Sequence, residues 1–493
     1  MKGRIALLAS LPFVVVAAAK QNLPTDDGAI AHLLSRTTFG ARAGDAEHVG
    51  AVGIERYLDE QLHPDRLADP DVEARVAGLA TLRMSSRQIA NEFEEPLRKA
   101  REEKKADKDG GAAAEPDPEL QKRAASVVLE LQDQKIIRAI YSTRQLQEVL
   151  ADFWFNHFNV DSRKGADRFL LTEYERETIR PHVFGKFRDL LEATAKSPAM
   201  LFYLDNWMSA DPNGPHIEMP APRLVRGPFG RPMLVQPPPR MPRENKNAPK
   251  GLNENYGREL MELHTLGVDG GYTQKDVTEV ARAFTGWSIE TPRLGGGFMF
   301  NARLHDDGQK VVLGHVIRAG GGERDGEEVL DLLARHPATA RFIATKLIRR
   351  FVGDTPPPAL VDRIAARFRE TDGDLREVTR AILTSPEFFS ADARGVKIKT
   401  PFEFVVSAAR ATSAEVQDAR PLARQIADLG MPLYQCQPPT GYKDTADAWV
   451  NTGALVGRMN FGLSLTANKI RGVTVSQSTP DAIALGSPEF QRR

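Results

Sequence analysis

Apolar side chains recur at every third or fourth position along most of the chain, which is the spacing of helices with one buried face. One such stripe consists of Ala340, Ile343, Leu347 and Phe351. Comparable spacing covers residues 28–62, 127–158 and 273–287. The pattern predicts a mainly α protein built as one large multi-helix body.

A different pattern occupies residues 298–317, where apolar and polar residues alternate. Alternation with a period of two is typical of a half-buried strand. The pair Asp307–Gly308 lies within this segment, and Asp-Gly is a favoured sequence for a tight hairpin turn. The sequence therefore predicts one small β-hairpin with its turn at these two residues.

Two segments interrupt the helical pattern. Residues 96–124 are highly charged and poor in apolar side chains, which indicates either an exposed helix followed by a flexible loop or a wholly disordered stretch. Residues 211–250 hold eleven of the 33 prolines together with several arginines and lysines. Because proline cannot donate to helix or sheet ladders, this segment is predicted to be a surface insertion, a lid or a basic docking arm.

The N-terminal residues have the pattern of a secretory signal peptide. A basic start, "MKGR", precedes the apolar run "IALLASLPFVVVAAA", and small residues stand before Lys20. We therefore expect a signal peptide over residues 1–19, a single domain over residues 24–493, and export to the periplasm or the extracellular space. The run is too short for a permanent membrane span, so no stable span is expected after cleavage, although an uncleaved anchor is the alternative.

Charge and cysteine content narrow the classes of protein further. The chain has 66 basic and 66 acidic residues, so no overall field attracts nucleic acid, and no nucleic-acid partner is expected. Cys436 is the single cysteine. An intrachain disulfide framework is therefore excluded, and an ordinary hydrophobic core must hold the domain together.

His157 lies among aromatic residues in the stretch "FWFNHFNV". Helical spacing puts Leu146, Leu150 and Phe153 on the same face, so the imidazole points either into a core or at the wall of a cleft. A hydrogen-bonded structural histidine fits this position, and so does a ligand or proton-transfer group tuned by apolar surroundings. His157 is therefore a candidate catalytic residue.

The stretch 251–264, "GLNENYGRELMELH", is predicted to be a helix with an apolar and a polar arc. The polar arc carries Arg258, Glu259 and Glu262, while His264 falls at the edge of the apolar arc. These charges are spaced for surface ion pairs. We expect instead that protein covers the acidic side and that Arg258 neutralises it, because an unpaired buried carboxylate is costly. All four residues are candidate acid–base groups.

The stretch "LHDDG" supplies His305 and Asp306, next to the predicted turn. An imidazole and carboxylate oxygens at such a turn suit a divalent metal ion, which is the cofactor that this chemistry suggests. A plain Asp-Gly turn with solvated carboxylates explains the same residues. The common signatures of serine hydrolases, zinc peptidases and phosphate-binding loops do not occur in the sequence.

Several segments together resemble the family known as domain of unknown function 1800. They are "HLLSRTTFGARAGDAEHV", "FWFNHFNV", "GLNENYGRELMELHTLGVDGGYTQKDVTEVARAFTGW", "HDDGQKVVLG", "HPATARFIATKLIRRFV" and "PPTGYKDTADAWVNTGALVGRMNF". The resemblance implies a mainly helical, exported bacterial protein. It brings no established reaction and no catalytic residue.

Two functions follow from these expectations. In the first, the helices around His157 and Glu259 form a cleft for hydrolysis or group transfer on an extracellular polymer or ester. In the second, the protein is a non-enzymatic exported adaptor. Genes of the resembling family often lie beside those of domain of unknown function 1501, which is similar to sulfatases and alkaline phosphatases. An exported protein of that family is therefore the expected partner.

Overall fold

Helices dominate the computed structural model, which describes residues 23–106, 117–214, 223–226, 232–235, 251–476 and 480–493. The mainly α fold is therefore confirmed. The expected signal peptide and most of the proline-rich insertion lie outside the described residues. No helix in the described ranges combines the length and apolar character needed to cross a membrane.

The described residues form 21 α-helices, most of them joined by short connections. Their bounds are α1 Asp27–Thr37, α2 Asp45–Val52, α3 Ile54–Leu62, α4 Pro70–Val76, α5 Ser86–Ile89, α6 Glu95–Ala106, α7 Pro118–Tyr141, α8 Gln145–His157, α9 Asp167–Glu173, α10 Phe187–Ala195, α11 Pro198–Tyr203, α12 Glu254–Glu259, α13 Gln274–Ala283, α14 Glu323–Arg335, α15 Pro337–Phe351, α16 Pro358–Glu370, α17 Leu375–Leu383, α18 Pro401–Ala411, α19 Arg420–Asp428, α20 Thr452–Thr466 and α21 Ala482–Gly486. Long connections follow α11, α13 and α19. Wider π-helical turns occupy Ala90–Glu94, Tyr174–Ile179 and Leu260–Thr265.

The strands are short, and each described strand pairs with one antiparallel neighbour. The pairs are β1 Arg223–Arg226 with β2 Pro232–Val235, β3 Trp287–Ile289 with β4 Phe298–Phe300, β5 Lys310–Val312 with β6 His315–Ile317, and β7 Glu415–Val416 with β8 Val473–Thr474. The sheets are thus small additions to a helical body.

The predicted hairpin exists, but its turn is elsewhere. The β5–β6 turn is formed by Leu313 and Gly314, whose φ angles of 50° and 80° fit the tight turn that matches strand twist. Asp307–Gly308 instead belongs to a loop before β5. Asp306 holds this loop by accepting the Gly308 backbone N–H at 2.9 Å, so the Asp-Gly pair serves a different bend.

Local signals set several helix starts as the sequence predicts. Thr273 and Asp276 form a capping box at α13, and Pro337 occupies the first turn of α15. Part of the charged stretch is also helical, since α6 covers Glu95–Ala106. The expectation of a helix before a loop is therefore met as far as residue 106.

A continuous apolar core extends from α1 to α21 and includes most of the helices, but not α5 and α6. Within it, α8 packs against α1, α3 and α7, so the side chains of α8 are fixed from several directions. A smaller apolar cluster lies apart from this core and consists of Ile89, Leu97, Ala124, Val127 and Phe169. The end of α8 that carries His157 reaches the surface of the main core at a cleft.

Candidate functional site

A cleft of about 240 Å³ opens between α8, α15 and the loop 431–445. Its walls combine charged groups with one aromatic residue from each side. The lining residues are Asp152, Phe153, Asn156, His157, Lys346, Arg349, Arg350, Thr400, Met431, Thr440, Tyr442, Lys443, Asp444 and Thr445. This mixture of buried charge and open space makes the cleft the candidate functional site.

His157 is placed in the cleft wall by the apolar face of α8. Leu146, Leu150 and Phe153 lie on that face and are buried, as the helical spacing predicts. The His157 side chain is itself only 1 % exposed. The prediction that this imidazole points at a core or at a cleft wall is therefore confirmed.

The hydrogen bonds of His157 define its tautomer. Its Nε2 lies 3.2 Å from the backbone carbonyl oxygen of His264, and a carbonyl can only accept, so Nε2 carries the proton. Its Nδ1 is then left as an acceptor for the Lys346 Nζ at 2.8 Å. Burial and the charge of Lys346 hold the pKa of His157 well below its usual range. The imidazole is therefore neutral in the folded protein.

Lys346 is the group whose protonation can change near neutral pH. Burial is the main reason why the pKa of Lys346 is lowered to about 8. The charge of Asp444 opposes this shift, and the charge of Arg349 adds to it. A neutral Lys346 amine still donates one N–H to the Nδ1 of His157. Its lone pair is then available to accept a proton from a molecule in the cleft.

The loop 431–445 is attached to α8 by the side-chain amide of Asn156. This amide donates to the backbone carbonyl of Tyr442 at 2.8 Å and accepts the Tyr442 backbone N–H at 2.7 Å. The preceding residue is Gly441, with a φ of 72°, and a Cβ there would lie 2.2 Å from the Asn156 carbonyl oxygen. Only glycine allows the loop to approach α8 this closely.

Behind the cleft lies a network of buried ions. Glu403 pairs with Arg350 and, at 3.1 Å, with the Nε of Arg493. Burial alone would raise the pKa of Glu403, but the two arginines overcome this and hold it well below its usual range. Asp444 joins the network through the Lys397 Nζ at 3.3 Å. These pairs fix the floor of the cleft.

A buried lysine supports the other wall. Lys135 pairs with the cleft residue Asp152 at 2.7 Å. Its ammonium also lies 5.3 to 5.7 Å from the ring centres of Phe155, Phe402 and Tyr434. Three aromatic faces and one carboxylate hold this cation, so the charge of Asp152 is already balanced from inside.

Not all of the predicted acid–base residues meet at this cleft. Glu259 and Glu262 are partly exposed and do not line it. Arg258 donates to the side-chain oxygen of Gln274 at 2.7 Å, and Glu262 accepts from the Tyr272 hydroxyl at 3.3 Å. The acidic side is therefore half-buried rather than enclosed, and Arg258 acts on Glu259 through its charge without forming an ion pair among the described residues.

Some burial of this acidic side does exist. It raises the pKa of Glu259, the neighbouring charge of Glu262 raises it further, and the charge of Arg258 opposes both effects. The asparagine at the start of the helix has a structural task, because Asn253 accepts the backbone N–H groups of Asn255 and Tyr256 at 3.0 and 3.3 Å. Asn253 therefore caps α12, and its side-chain amide does not bind the glutamates.

His264 comes close to His157, with ring centres 6.2 Å apart. It contributes to the site through its backbone carbonyl, which lies in the last turn of a helix where carbonyls lack helical partners. Burial, and then the charge of Lys346, lower the pKa of its ring to about 3. The His264 ring is thus a neutral packing group beside the cleft.

The two predicted metal ligands are engaged with protein partners. The Nδ1 of His305 lies 2.8 Å from the carbonyl oxygen of Thr285, and its Nε2 lies 3.2 Å from Asp325. Asp306 pairs with Arg282 at 2.7 Å. Among the residues that the structure describes, no three histidine, cysteine or acidic side chains are grouped to hold a metal ion.

The sequence analysis missed Lys346, Arg349, Tyr442 and Asp444. In the segment 337–351 the prediction rested on the apolar stripe alone. Three basic residues stand close together at the end of α15, and all three line the cleft. Three segments that carry the family resemblance supply the cleft walls, namely those around His157, Lys346 and Tyr442. The sequence therefore did contain a sign of the site, because all three wall segments belong to the stretches that resemble the family.

The fold and the cleft define a mainly helical protein in which a half-buried lysine contacts a buried histidine at an open site. A family model described as "Protein of unknown function (DUF1800)" matches residues 32–491, and the chain belongs to this family. No curated protein and no solved structure matched the chain in the corresponding comparisons.

Proposed function

We propose that the protein is a hydrolase or group-transfer enzyme that acts on a polymer or an ester at the cleft between α8 and α15. The observation that carries the proposal is the contact of 2.8 Å between Lys346 and His157, at the wall of an open cleft. A lysine with a lowered pKa in a cleft is a common feature of proton-transfer sites.

In this mechanism Lys346 transfers the proton, and His157 positions the Lys346 amine. The neutral Lys346 amine accepts a proton from the water or hydroxyl group that attacks the substrate. The resulting ammonium returns a proton to the leaving group. His157 keeps the amine oriented, since its Nδ1 accepts one N–H in both states of the lysine and its tautomer is fixed by the His264 carbonyl.

The place of action follows from the first residues of the chain. The pattern of residues 1–19 supports export, and the family resemblance supports a bacterial source. The substrate would then lie in the periplasm or outside the cell. A polymer or ester of the envelope fits both the compartment and a cleft that is open to solvent.

The experiment compares Lys346→Met with wild type on a panel of aryl esters and aryl glycosides at a pH near 8. We expect turnover to fall at least about a hundredfold, the usual contribution of a general acid or base. Lys346→Arg should not restore it, because arginine does not lose its proton in this range.

The matched control is Lys275→Met, which removes an exposed lysine from α13. It should leave turnover unchanged. In parallel, the rate at which an activated ester acylates Lys346 should rise with pH around a midpoint near 8. If Lys346 is acylated no faster than the exposed lysines, or if Lys346→Met retains full turnover, the proposal is wrong.

A second candidate, an adaptor role, has one observation in its favour. Helix α20 buries Phe461 and Leu465, yet it also exposes apolar side chains on its outer side. The exposed residues are Leu455, Val456, Met459 and Leu463, with Ile483 of α21 nearby. A helix that is apolar all round is usually covered on both sides.

The adaptor role is tested with the exported protein of domain of unknown function 1501 as partner. If the outer side of α20 binds this partner, the double variant Val456→Glu with Leu463→Glu should abolish co-elution in size-exclusion chromatography. The control variant Val316→Glu alters an equally exposed valine on β6 and should have no effect. Loss in both variants, or no co-elution of wild type, contradicts the adaptor role.

A further inference from the structure

The charges that line the cleft do not cancel. Its walls carry four cations, Lys346, Arg349, Arg350 and Lys443, and two anions, Asp152 and Asp444. Several of these residues also have partners inside the protein. Those partners must be considered before the remaining charge of the cleft can be assigned.

Both anions and one of the cations are balanced from behind the cleft wall. The pairs are Arg350 with Glu403, Asp152 with Lys135 at 2.7 Å, and Asp444 with Lys397 at 3.3 Å. Lys443 has only a loose, exposed partner, Asp447 at 3.6 Å. The charge that faces the interior of the cleft therefore comes mainly from α15.

Lys346 and Arg349 are the two cations left on α15, three residues apart and so on one face of the helix. Within the described ranges, neither forms an ion pair with a carboxylate. Lys346 contacts the Nδ1 of His157, and the Arg349 Nε donates to the backbone carbonyl of Asp354 at 3.3 Å. Asp444 acts on Lys346 from a distance, but its carboxylate is already paired with Lys397. The like charges of Lys346 and Arg349 therefore still repel each other.

We propose that Arg349 binds an anionic group of the substrate beside Lys346, so that the substrate is an acidic polymer or ester carrying carboxylate, phosphate or sulfate groups. This inference rests on the proposed function of the same cleft. The planar guanidinium group suits such oxyanions, because it can donate two parallel hydrogen bonds to them. The Arg349 terminal nitrogens are the donors available for this contact.

The rest of the cleft fits an acidic substrate. Lys443 stands at its rim with a side chain that is 71 % exposed, where it attracts a polyanion before contact. Burial is the main cause of the lowered pKa of Lys346, and the charge of Arg349 adds to it; an anion held by Arg349 offsets this second contribution. Binding should therefore move the titration of Lys346 to higher pH, and that shift is measurable without a known reaction.

The experiment measures binding of polygalacturonate, dextran sulfate and polyphosphate to the full chain by isothermal titration calorimetry, with neutral dextran as the reference polymer. We expect at least one polyanion to bind and dextran not to bind. Arg349→Gln should weaken binding about tenfold or more, which corresponds to the loss of one or two hydrogen bonds to a charged group.

The matched control is Arg341→Gln on the same helix, whose side chain is 56 % exposed and paired with Asp362. It removes the same net charge away from the cleft. The polyanion whose binding depends on Arg349 but not on Arg341 identifies the oxyanion. Equal weakening in both variants, or no binding of any polyanion to wild type, overturns the inference. Denaturant unfolding of Arg349→Gln and Arg341→Gln checks that both variants are folded.

Failure of this inference can be told apart from failure of the proposed function. If no polyanion binds while Lys346 still titrates near pH 8 and Lys346→Met abolishes turnover, only the substrate class is wrong. If polyanion binding depends on Arg349 while Lys346 titrates like the exposed lysines, only the role of Lys346 is wrong. ¹³C-dimethyl-lysine NMR follows the titration in both cases.

Discussion

The tautomer of His157 is set by the backbone. Because the His264 carbonyl can only accept, the imidazole must keep its proton on Nε2 and present a lone pair to Lys346. A side-chain partner at this position could itself change protonation, whereas a carbonyl cannot. The lysine–histidine pair thus has one titrating member in the neutral range, and that member is Lys346.

Buried neutral histidines make the stability of the protein depend on pH. The pKa of His264 falls from 6.5 to about 3 on folding, and that of His32 to about 4. Below pH 6.5 the unfolded chain binds protons that the folded protein does not. Stability is therefore fully present above pH 6.5 and is lost as the pH falls below it, by up to about 1.4 kcal/mol per pH unit for each such histidine.

The measurement is the free energy of unfolding in urea between pH 6.5 and pH 5.5, an interval that ends one unit above the ordinary glutamate pKa of 4.5. His264→Phe should reduce the slope of stability against pH in this interval. His48→Asn, which changes an exposed histidine, should leave the slope unaltered. An unchanged slope in His264→Phe would show that this histidine is not held neutral by the fold.

Glu403 gives a second prediction at the scale of single residues. Its side chain is 4 % exposed and pairs with two buried arginines. Glu403→Gln should lower the free energy of unfolding by about 3–5 kcal/mol, because it leaves buried cations without their counter-charge. Urea unfolding at pH 7 provides the value.

A matched carboxylate near the surface serves as the control for Glu403. Glu387 also pairs with one arginine, Arg363, but both side chains are more exposed, at 28 % and 52 %. Glu387→Gln should cost at most about 1 kcal/mol. Similar costs for the two variants would mean that burial does not decide the strength of these pairs.

The sequence placed His157 correctly because a single helix determines its direction. The partner Lys346 is 189 residues away along the chain, and no local period connects the two. The same limit applies to the acidic face around Glu259. Its charges are clear in the sequence, but the extent to which protein covers them depends on which other elements pack there, and the structure leaves these carboxylates half-buried.

At the scale of elements, the helix that carries His264 departs from regular geometry. Residues Leu260–Thr265 form a π-helical turn, in which the Thr265 hydroxyl donates to the Leu260 carbonyl at 2.7 Å and the Leu266 N–H to the Met261 carbonyl at 2.7 Å. A helical projection that assumes the regular α-helical rotation per residue therefore misplaces the side chains after Leu260. Such turns often occur at functional sites, and this one brings the His264 carbonyl to His157.

The hairpin shows how distant contacts override a local turn signal. Asp307–Gly308 is a stronger turn sequence than Leu313–Gly314. However, Arg282 holds Asp306, and Lys310 is buried against Asp325 at 2.7 Å, so the chain is already anchored on both sides of Asp307. The strands therefore reverse further along. The existence of the hairpin was predictable from alternation, but its register was not.

The contact between α8 and the loop 431–445 leads to a third prediction. Gly441→Ala places a methyl group against the Asn156 carbonyl oxygen and also strains a backbone with a positive φ. We expect a loss of more than about 2 kcal/mol in unfolding free energy, since the positive φ alone costs roughly 1–2 kcal/mol. Urea unfolding measures the loss.

The control for the loop variant is Gly395→Ala, at a φ of 61° with no atom within 4 Å of the added Cβ. It tests backbone strain without a clash. Gly441→Ala should be clearly the more damaging of the two and should also reduce turnover. Equal costs would indicate that the close approach to α8 is not required.

At the scale of the whole molecule, the proposed export predicts a specific start for the mature chain. Cleavage after Ala19 would leave Lys20 as the first residue, because small residues before the cleavage point fit signal peptidase. Intact-mass spectrometry of protein from the periplasmic fraction or the medium should show this mass. The variant Ala19→Arg should block processing. Recovery of wild type with residues 1–19 attached would contradict cleavage.

The Asn156–Tyr442 contact joins positions that are 286 residues apart. Closing so long a loop is entropically costly, and contacts of this separation are expected to form late in folding. During synthesis or translocation, the cleft is incomplete until residue 445 has emerged. Under the proposed export, a partly translocated chain would therefore lack one wall of the cleft, and the proposed activity would begin only after residue 445 has passed.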